Sequence, residues 1–216
     1  MPPERASITH RVRSADGTPA GALVLVHGRG ADELDLAPLL DVLDPDRRLV
    51  GLLPRGPLSL PPGGAHWYVV REIGYPDSPT FLETFAAASA WADAALEEAG
   101  VEAARTVFGG FSQGAVMSYS LGLAAGRPRP AAIVAMSGFV PRVDGFELDL
   151  ESRAGLPVSI SHGTHDPVIG VEWGRDARGR LESAGLAVRY REDPVGHEIA
   201  PGALAQARAV LEAALG

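Results

Sequence analysis

Seven short apolar runs alternate with longer segments of helical periodicity, and this alternation limits the fold more than any other feature of the chain. Runs of this length are typical of buried strands, and a repeat of strand and helix favours a parallel sheet with helices on both faces. The predicted strands are Ser7–Arg13, Ala22–His27, Arg48–Leu53, Arg105–Gly110, Ala131–Met136, Pro157–His162 and Ala187–Arg191. We therefore predict an α/β fold with a mostly parallel central sheet of about seven strands flanked by helices.

The segments between the strands carry their own signals. Helices are predicted at Asp32–Leu43, Thr80–Ala99, Ser112 to about Ala125, Val171–Ala184 and Pro201–Leu215. The short turn at Asp16-Gly17 indicates that the first two strands are antiparallel and that the first lies at an edge. Pro54–Gly64 is rich in Pro and Gly, which predicts a loop without regular structure.

The composition of the chain excludes several classes of function. A length of 216 residues suits one domain, residues 1–216. The chain has no Cys, so thiolate chemistry and Cys-ligated metals are excluded, and no Lys, which excludes a Schiff base. A net charge of -8 without a basic tract argues against nucleic acid as a partner. No apolar run approaches the ~20 residues of a membrane span, so we expect no stable membrane association. The N-terminus lacks a signal-peptide core, which favours a cytoplasmic location.

Gly110-Phe111-Ser112-Gln113-Gly114 lies where a predicted strand meets a predicted helix. The pattern Gly-x-Ser-x-Gly is weak alone, but in this context it is typical of a serine nucleophile on a sharp turn. The small residues at 110 and 114 permit close backbone approach, and the helix N-terminus favours negative charge beside Ser112. The alternative is a glycine-rich turn in which Ser112 only caps a helix.

A serine nucleophile requires a base and an orienting carboxylate. When the serine lies on a strand-to-helix turn of this kind, the acid and then the histidine follow on loops after later strands. Asp166 and His197 lie in that order on loops of that kind, so we predict a Ser112–His197–Asp166 triad. The competing acids are Asp144, Asp149 and Asp193; the first two follow the wrong strand, and the third is too close to His197 in sequence.

Two backbone N–H groups are predicted to bind the oxyanion, those of Arg29 and Gln113. Arg29 stands between Gly28 and Gly30 on the loop after the second strand, where the second donor of such a site is expected. Asp32 on the same loop fits the N-cap of the next helix. The Arg29 side chain could instead bind an acidic group of the substrate.

Other histidines of the sequence are candidates for metal binding or substrate binding. His162-x-x-His165-Asp166 lacks the spacing of known zinc hydrolase motifs, so we predict no metal site. His66 and Trp67 are candidate substrate-binding residues that flank the site, with packing as the alternative for aromatic loop residues.

The sequence between Phe111 and Asp166 is too short to contain a helical cap domain.

Taken together, five segments resemble the phospholipase/carboxylesterase family of compact α/β-hydrolases, which includes bacterial carboxylesterases and acyl-protein thioesterases. The segments are Leu25–Asp32, Pro54–Pro57 with Trp67-Tyr68, Gly110–Gly114, His162–Val168 and Gly196–Ile199. The resemblance implies an α/β-hydrolase fold, hydrolysis of a small-molecule carboxylic ester or thioester, and no cofactor. It assigns the triad to Ser112, Asp166 and His197. The family commonly has a small or apolar residue at the position of Arg29, and its thioesterases have longer loops near Tyr75–Pro79.

These observations predict a serine hydrolase that cleaves carboxylic esters through a covalent acyl-enzyme, with thioesters and lysophospholipids left open. An uncapped site should be shallow and favour short acyl groups. The alternative is a ligand-binding module on the same fold that does not catalyse a reaction. The sequence leaves open whether the protein forms a homodimer.

Overall fold

The computed structural model describes residues 8–216, and its elements follow the predicted alternation. The strands are β1 (His10–Arg13), β2 (Gly21–Val26), β3 (Leu49–Pro54), β4 (Leu58–Leu60), β5 (Gly64–His66), β6 (Val70–Glu72), β7 (Tyr75–Pro76), β8 (Thr106–Phe111), β9 (Ala132–Met136), β10 (Pro157–Gly163) and β11 (Ala187–Asp193). The helices are α1 (Ala37–Leu43), α2 (Ser78–Glu98), α3 (Gln113–Leu123), α4 (Val171–Ser183) and α5 (Pro201–Leu215).

The central sheet has seven strands in the order β1-β3-β2-β8-β9-β10-β11, and β1 alone runs antiparallel to its neighbour. The carboxyl ends of β2, β8, β10 and β11 therefore lie along the same edge of the sheet. In open α/β sheets this edge is where ligands bind. The predicted fold class is confirmed.

Side chains of β2 show how the sheet is covered on both faces. Successive strand residues point to opposite faces. Leu23 and Leu25 pack into the cluster formed with α1 and α5, whereas Val24 and Val26 pack into the cluster formed with α2 and α3. Both faces are thus buried, which explains why the strand reads as an uninterrupted apolar run.

Helix α3 is buried along its whole length, from Gln113 to Leu123. Because a helix in the interior has no solvent face, it is apolar on all sides. Its two serine hydroxyls are satisfied internally: the Oγ atoms of Ser118 and Ser120 donate to the carbonyl oxygens of Gly114 and Val116, both at 2.8 Å. The helix behind Ser112 is therefore held rigidly by packing.

The pairing of the first strand differs from the expectation. β1 is an antiparallel edge strand as predicted, but its partner is β3, not β2. Strand β2 is already bonded on both sides, by β3 and β8. The first part of the predicted strand, at Ser7, lies outside the described residues.

Two further segments differ from the expectation. Helix α1 begins at Ala37 rather than at Asp32, whose carboxylate accepts a hydrogen bond from the Leu34 N–H and holds a turn. Pro38 is tolerated in the first turn of α1, but it has no N–H to donate to the carbonyl of residue 34 and its ring would clash with that carbonyl, so a regular helix does not extend back to Asp32. The segment predicted as loop contains β4, which pairs with β5. Its backbone pairing compensates for the low strand propensity of Pro and Gly.

The segment between β9 and β10, residues 137–156, has one short 3-10 turn at Glu151–Arg153. No separate cap domain covers the sheet edge within the described residues 8–216, as predicted. Within the same residues, no helix has the length and apolar character needed to cross a membrane.

Candidate active site

Ser112 occupies a strained turn between β8 and α3. Its φ of 56° lies in the left-handed region, which a residue with a side chain rarely adopts. The turn needs glycine on both sides, because a Cβ at Gly110 would lie 2.4 Å from the Gly114 backbone and one at Gly114 would lie 1.8 Å from the Val26 oxygen. The conformation places the hydroxyl at the carboxyl edge of the sheet.

The structure brings Ser112, His197 and Asp166 into one chain of hydrogen bonds. The His197 Nε2 atom lies 2.9 Å from the Ser112 Oγ, and its Nδ1 lies 2.6 Å from Oδ2 of Asp166. The carboxylate can only accept, so Nδ1 carries the proton and Nε2 is free to accept the serine proton. The His197 ring also packs on Phe111, with ring centroids 4.7 Å apart.

Asp166 is held by the loop that follows β10. Its Oδ1 accepts from the N–H groups of Val168 and Ile169 at 2.8 and 2.9 Å, which leaves Oδ2 for His197. The loops that follow β10 and β11 touch at Gly163, where a Cβ would lie 2.1 Å from the Gly196 oxygen. This close approach brings the acid and the base together, although 31 positions separate them.

His162 is a buried histidine beside this carboxylate, and the sequence predicts only that it is not part of a metal site. Its Nε2–H donates to the Ile169 carbonyl at 2.8 Å and lies 3.6 Å from Oδ2 of Asp166, while its buried Nδ1 has no partner among the described residues. Burial lowers its pKa, so the ring is neutral. It therefore ties down the loop that carries Asp166. A position at the end of a strand carries no local signal for such a contact.

The two residues predicted to supply backbone N–H groups to the oxyanion, Arg29 and Gln113, line the same cavity as Ser112. A Cβ on Gly28 would lie 3.4 Å from the Ser112 Cβ, so the loop after β2 lies against the serine turn. Neither N–H donates a hydrogen bond to another residue within 8–216. Unpaired amides at a helix N-terminus and a facing loop are suited to a developing negative charge.

The side chain of Gln113 bonds to the backbone of the segment that contains Trp67 and Tyr68. Its Oε1 accepts from the Trp67 N–H at 3.0 Å, and its Nε2 donates to the Tyr68 carbonyl at 2.8 Å. Trp67 is 1% exposed and donates from its indole to the His27 carbonyl at 3.0 Å. His66 is half-buried, with its Nδ1 3.1 Å from the Tyr68 oxygen. Neither His66 nor Trp67 is among the residues that line the cavity beside Ser112.

A cavity of about 330 Å³ opens beside Ser112. Most of its wall is apolar, and two charged side chains, Arg29 and Glu72, also line it. The apolar and aromatic lining residues are Tyr68, Val70, Ile73, Phe139, Val168 and Ile169. They come from three separated segments, and only their spatial convergence identifies them.

This arrangement can activate a hydroxyl. A serine whose proton faces a neutral imidazole, itself held by a carboxylate, becomes nucleophilic at neutral pH without a low serine pKa. The adjacent cavity can hold an uncharged group of the size of a small organic acid or alcohol.

Known proteins share this fold and are related to this chain in sequence. The sequence model of the family described as Phospholipase/Carboxylesterase matches residues 8–215. The putative hydrolase MhqD of Bacillus subtilis is 28% identical over 192 residues, which cover 89% of this chain and 92% of that protein. An acyl-protein thioesterase 1 of Yarrowia lipolytica is 31% identical over 132 residues, 58% of this chain and 57% of that one.

Among solved structures, the carboxylesterase of Bacillus cereus superposes with a TM-score of 0.83 at 26% identity, covering 97% of this chain and 95% of that one. The sheet order and the helices on both faces correspond to the α/β-hydrolase fold. Because the family match extends over almost all of the described residues, the chain belongs to the phospholipase/carboxylesterase family and is a hydrolase.

Proposed function

We propose that the protein is a serine esterase that hydrolyses small carboxylic esters through a covalent acyl-enzyme. One observation carries the proposal: the 2.9 Å contact from Ser112 Oγ to His197 Nε2, continued at 2.6 Å from Nδ1 to Asp166. Reacting groups within hydrogen-bond distance are the geometric requirement for general base catalysis.

In the first step, His197 accepts the Ser112 proton as Oγ attacks the ester carbonyl. Asp166 keeps the imidazole in the tautomer whose Nε2 is free, and it stabilises the imidazolium that forms. The imidazolium then gives its proton to the leaving alcohol oxygen as the carbon–oxygen bond breaks. The product of this step is an acyl-Ser112 ester.

In the second step, water replaces the alcohol. His197 takes a proton from the water, hydroxide attacks the acyl carbon, and the proton returns to Ser112 Oγ as the acid leaves. In both steps the oxyanion would lie between the N–H groups of Arg29 and Gln113. Loss of one such donor typically costs about 3–4 kcal/mol of transition-state stabilisation.

The cavity favours a substrate of modest size. Its volume of about 330 Å³ and its apolar lining suit a short acyl group better than a long lipid chain. The carboxylesterase and thioesterase relatives support acyl transfer in general. Oxygen esters are our proposed substrates, and thioesters with short acyl groups are a second class that the same chemistry can cleave.

The test combines turnover with covalent labelling. Ser112→Ala should abolish hydrolysis of p-nitrophenyl acetate and labelling by a fluorophosphonate probe, since both require the Oγ. Ser183→Ala, at the exposed end of α4, serves as the matched control and should retain both. Circular dichroism should show the same fold in all three proteins. Undiminished turnover in Ser112→Ala, or a wild-type protein that the probe does not label, would contradict the proposal.

A further inference from the structure

Arginine side chains in this protein are almost all paired. The chain has 19 basic and 27 acidic residues, so carboxylates are in excess. Within residues 8–216, only Arg29 and Arg189 have a guanidinium without a hydrogen bond or ion pair to another described residue. The other arginines contact carboxylates or carbonyl oxygens.

The two unpaired arginines have different surroundings. Arg189 is on the exposed face of the edge strand β11. Arg29 lines the cavity beside Ser112, where most of the wall is apolar. A guanidinium presents a planar fork of N–H donors that matches a carboxylate, and its exposure here leaves those donors accessible to a ligand. An unpaired cation is therefore located where the substrate must bind.

The backbone relates this cation to the reacting carbonyl. Arg29 and Ser112 line the same cavity, and the neighbouring Gly28 lies against the serine turn, so the guanidinium is within reach of a substrate bound at Ser112. Glu72 is the other charged residue of the lining, on the β6–β7 hairpin. It would repel an anion on its own side, which restricts an anionic group to the side formed by the loop after β2.

We propose that the Arg29 side chain selects esters that carry a free carboxylate a few bonds from the scissile carbonyl. This inference rests on the proposed esterase function and adds a substrate class to it. The carboxylate can belong to the acid half of the ester or to the alcohol half, and both place the same chemistry against the guanidinium.

Two matched substrate pairs test the inference. In the first, the ionised monoester 4-nitrophenyl adipate is compared with its uncharged 4-nitrophenyl methyl diester, so the charge is on the acid half. In the second, 3-acetoxybenzoate is compared with methyl 3-acetoxybenzoate, so the charge is on the alcohol half. The quantity measured is the ratio of kcat/KM for the charged over the uncharged member of each pair.

We expect the wild type to prefer the charged member in at least one pair by about fivefold, the size expected of a partly exposed ion pair. The preference should decrease as salt is raised, because salt screens exposed charges. Arg29→Gln keeps the peptide N–H and should bring the ratio to one or below. Arg189→Gln, the matched control, should keep the wild-type ratio.

The outcomes separate this inference from the esterase proposal. Hydrolysis of the uncharged esters with no preference in either pair would overturn the role of Arg29 and leave the esterase intact. A preference that persists in Arg29→Gln, or that Arg189→Gln loses equally, would also overturn it. Turnover that survives Ser112→Ala would instead contradict the esterase itself.

Discussion

At the scale of single residues, the candidate site depends on protons held at particular atoms. Asp166 uses one oxygen for two backbone N–H groups and the other for His197. His162 reinforces this arrangement from behind, because its Nε2–H donates to the carbonyl of Ile169, whose own N–H bonds to Asp166. The orientation of the base thus depends on a residue that no substrate touches.

We expect His162→Leu to lower kcat by about 10- to 100-fold with little change in KM, because loss of the Nε2–H loosens the loop that positions Asp166. His162→Gln should recover most of the loss, since the amide can donate to the same carbonyl. The measurement is steady-state kinetics with p-nitrophenyl acetate beside a thermal unfolding curve. His165→Leu, on the same loop but exposed, is the control. A rise in KM with constant kcat would argue against a positioning role.

The sequence predicts the members of the proposed triad because each has a local signal. Ser112 lies in a glycine-flanked turn, and Asp166 and His197 follow strands whose carboxyl ends meet at one edge. For His66 and Trp67, the sequence has no comparable local signal that shows whether their side chains line the cavity. Neither residue lines the cavity, and the Gln113 carboxamide bonds to the backbone of Trp67 and Tyr68. That contact depends on tertiary packing between segments 45 or more positions apart.

At the scale of elements, the β6–β7 hairpin forms one wall of the cavity. Its tip, Gly74, has a φ of +89° and lies so close to Trp173 of α4 that a Cβ there would be 1.9 Å from the indole ring. Sequence periodicity did not predict this hairpin, because its strands have only three and two residues. The hairpin is stabilised by its contact with α4 and not by the strand propensity of its own residues.

Gly74→Ala should therefore raise KM for p-nitrophenyl esters and lower the free energy of unfolding by about 1–3 kcal/mol, since the methyl group forces the hairpin away from Trp173. Gly17→Ala is a matched control, because Gly17 also has a positive φ, of +100°, but nothing lies within 4 Å of its Cβ position. It should lose stability through backbone strain alone and keep the wild-type KM. Equal KM values in both variants would show that the hairpin does not shape the cavity.

At the scale of the whole molecule, two buried histidines relate folding to pH. His27 and His162 are 1% and 2% exposed, and burial lowers the pKa of both below the ordinary 6.5. His27 must be neutral for a second reason: its Nε2 accepts a hydrogen bond from the Gly56 N–H at 3.0 Å. The unfolded chain therefore takes up protons near pH 6.5 that the folded protein does not.

Because the unfolded state binds more protons, the free energy of unfolding should rise with pH in this region and fall as the pH is lowered below about 6.5. Each histidine contributes a slope of up to about 1.4 kcal/mol per pH unit between its unfolded and its lower folded pKa. Urea unfolding at intervals from pH 5 to 8 measures the slope. His162→Gln should reduce it, whatever the variant does to stability at pH 8. An unchanged slope would contradict the assignment of a neutral buried ring.

The carboxamide of Gln113 has a consequence for how such an enzyme can diversify. It fastens the first turn of α3 to the backbone of Trp67 and Tyr68, so the part of the molecule that would perform the chemistry and the inner wall of the cavity form one rigid unit. Variation compatible with function is then confined to the outer rim, where Arg29, the β6–β7 hairpin and Val168 are exposed. A library of variants substituted only at those rim positions could therefore change substrate preference while Ser112, His197 and Asp166 stay unaltered.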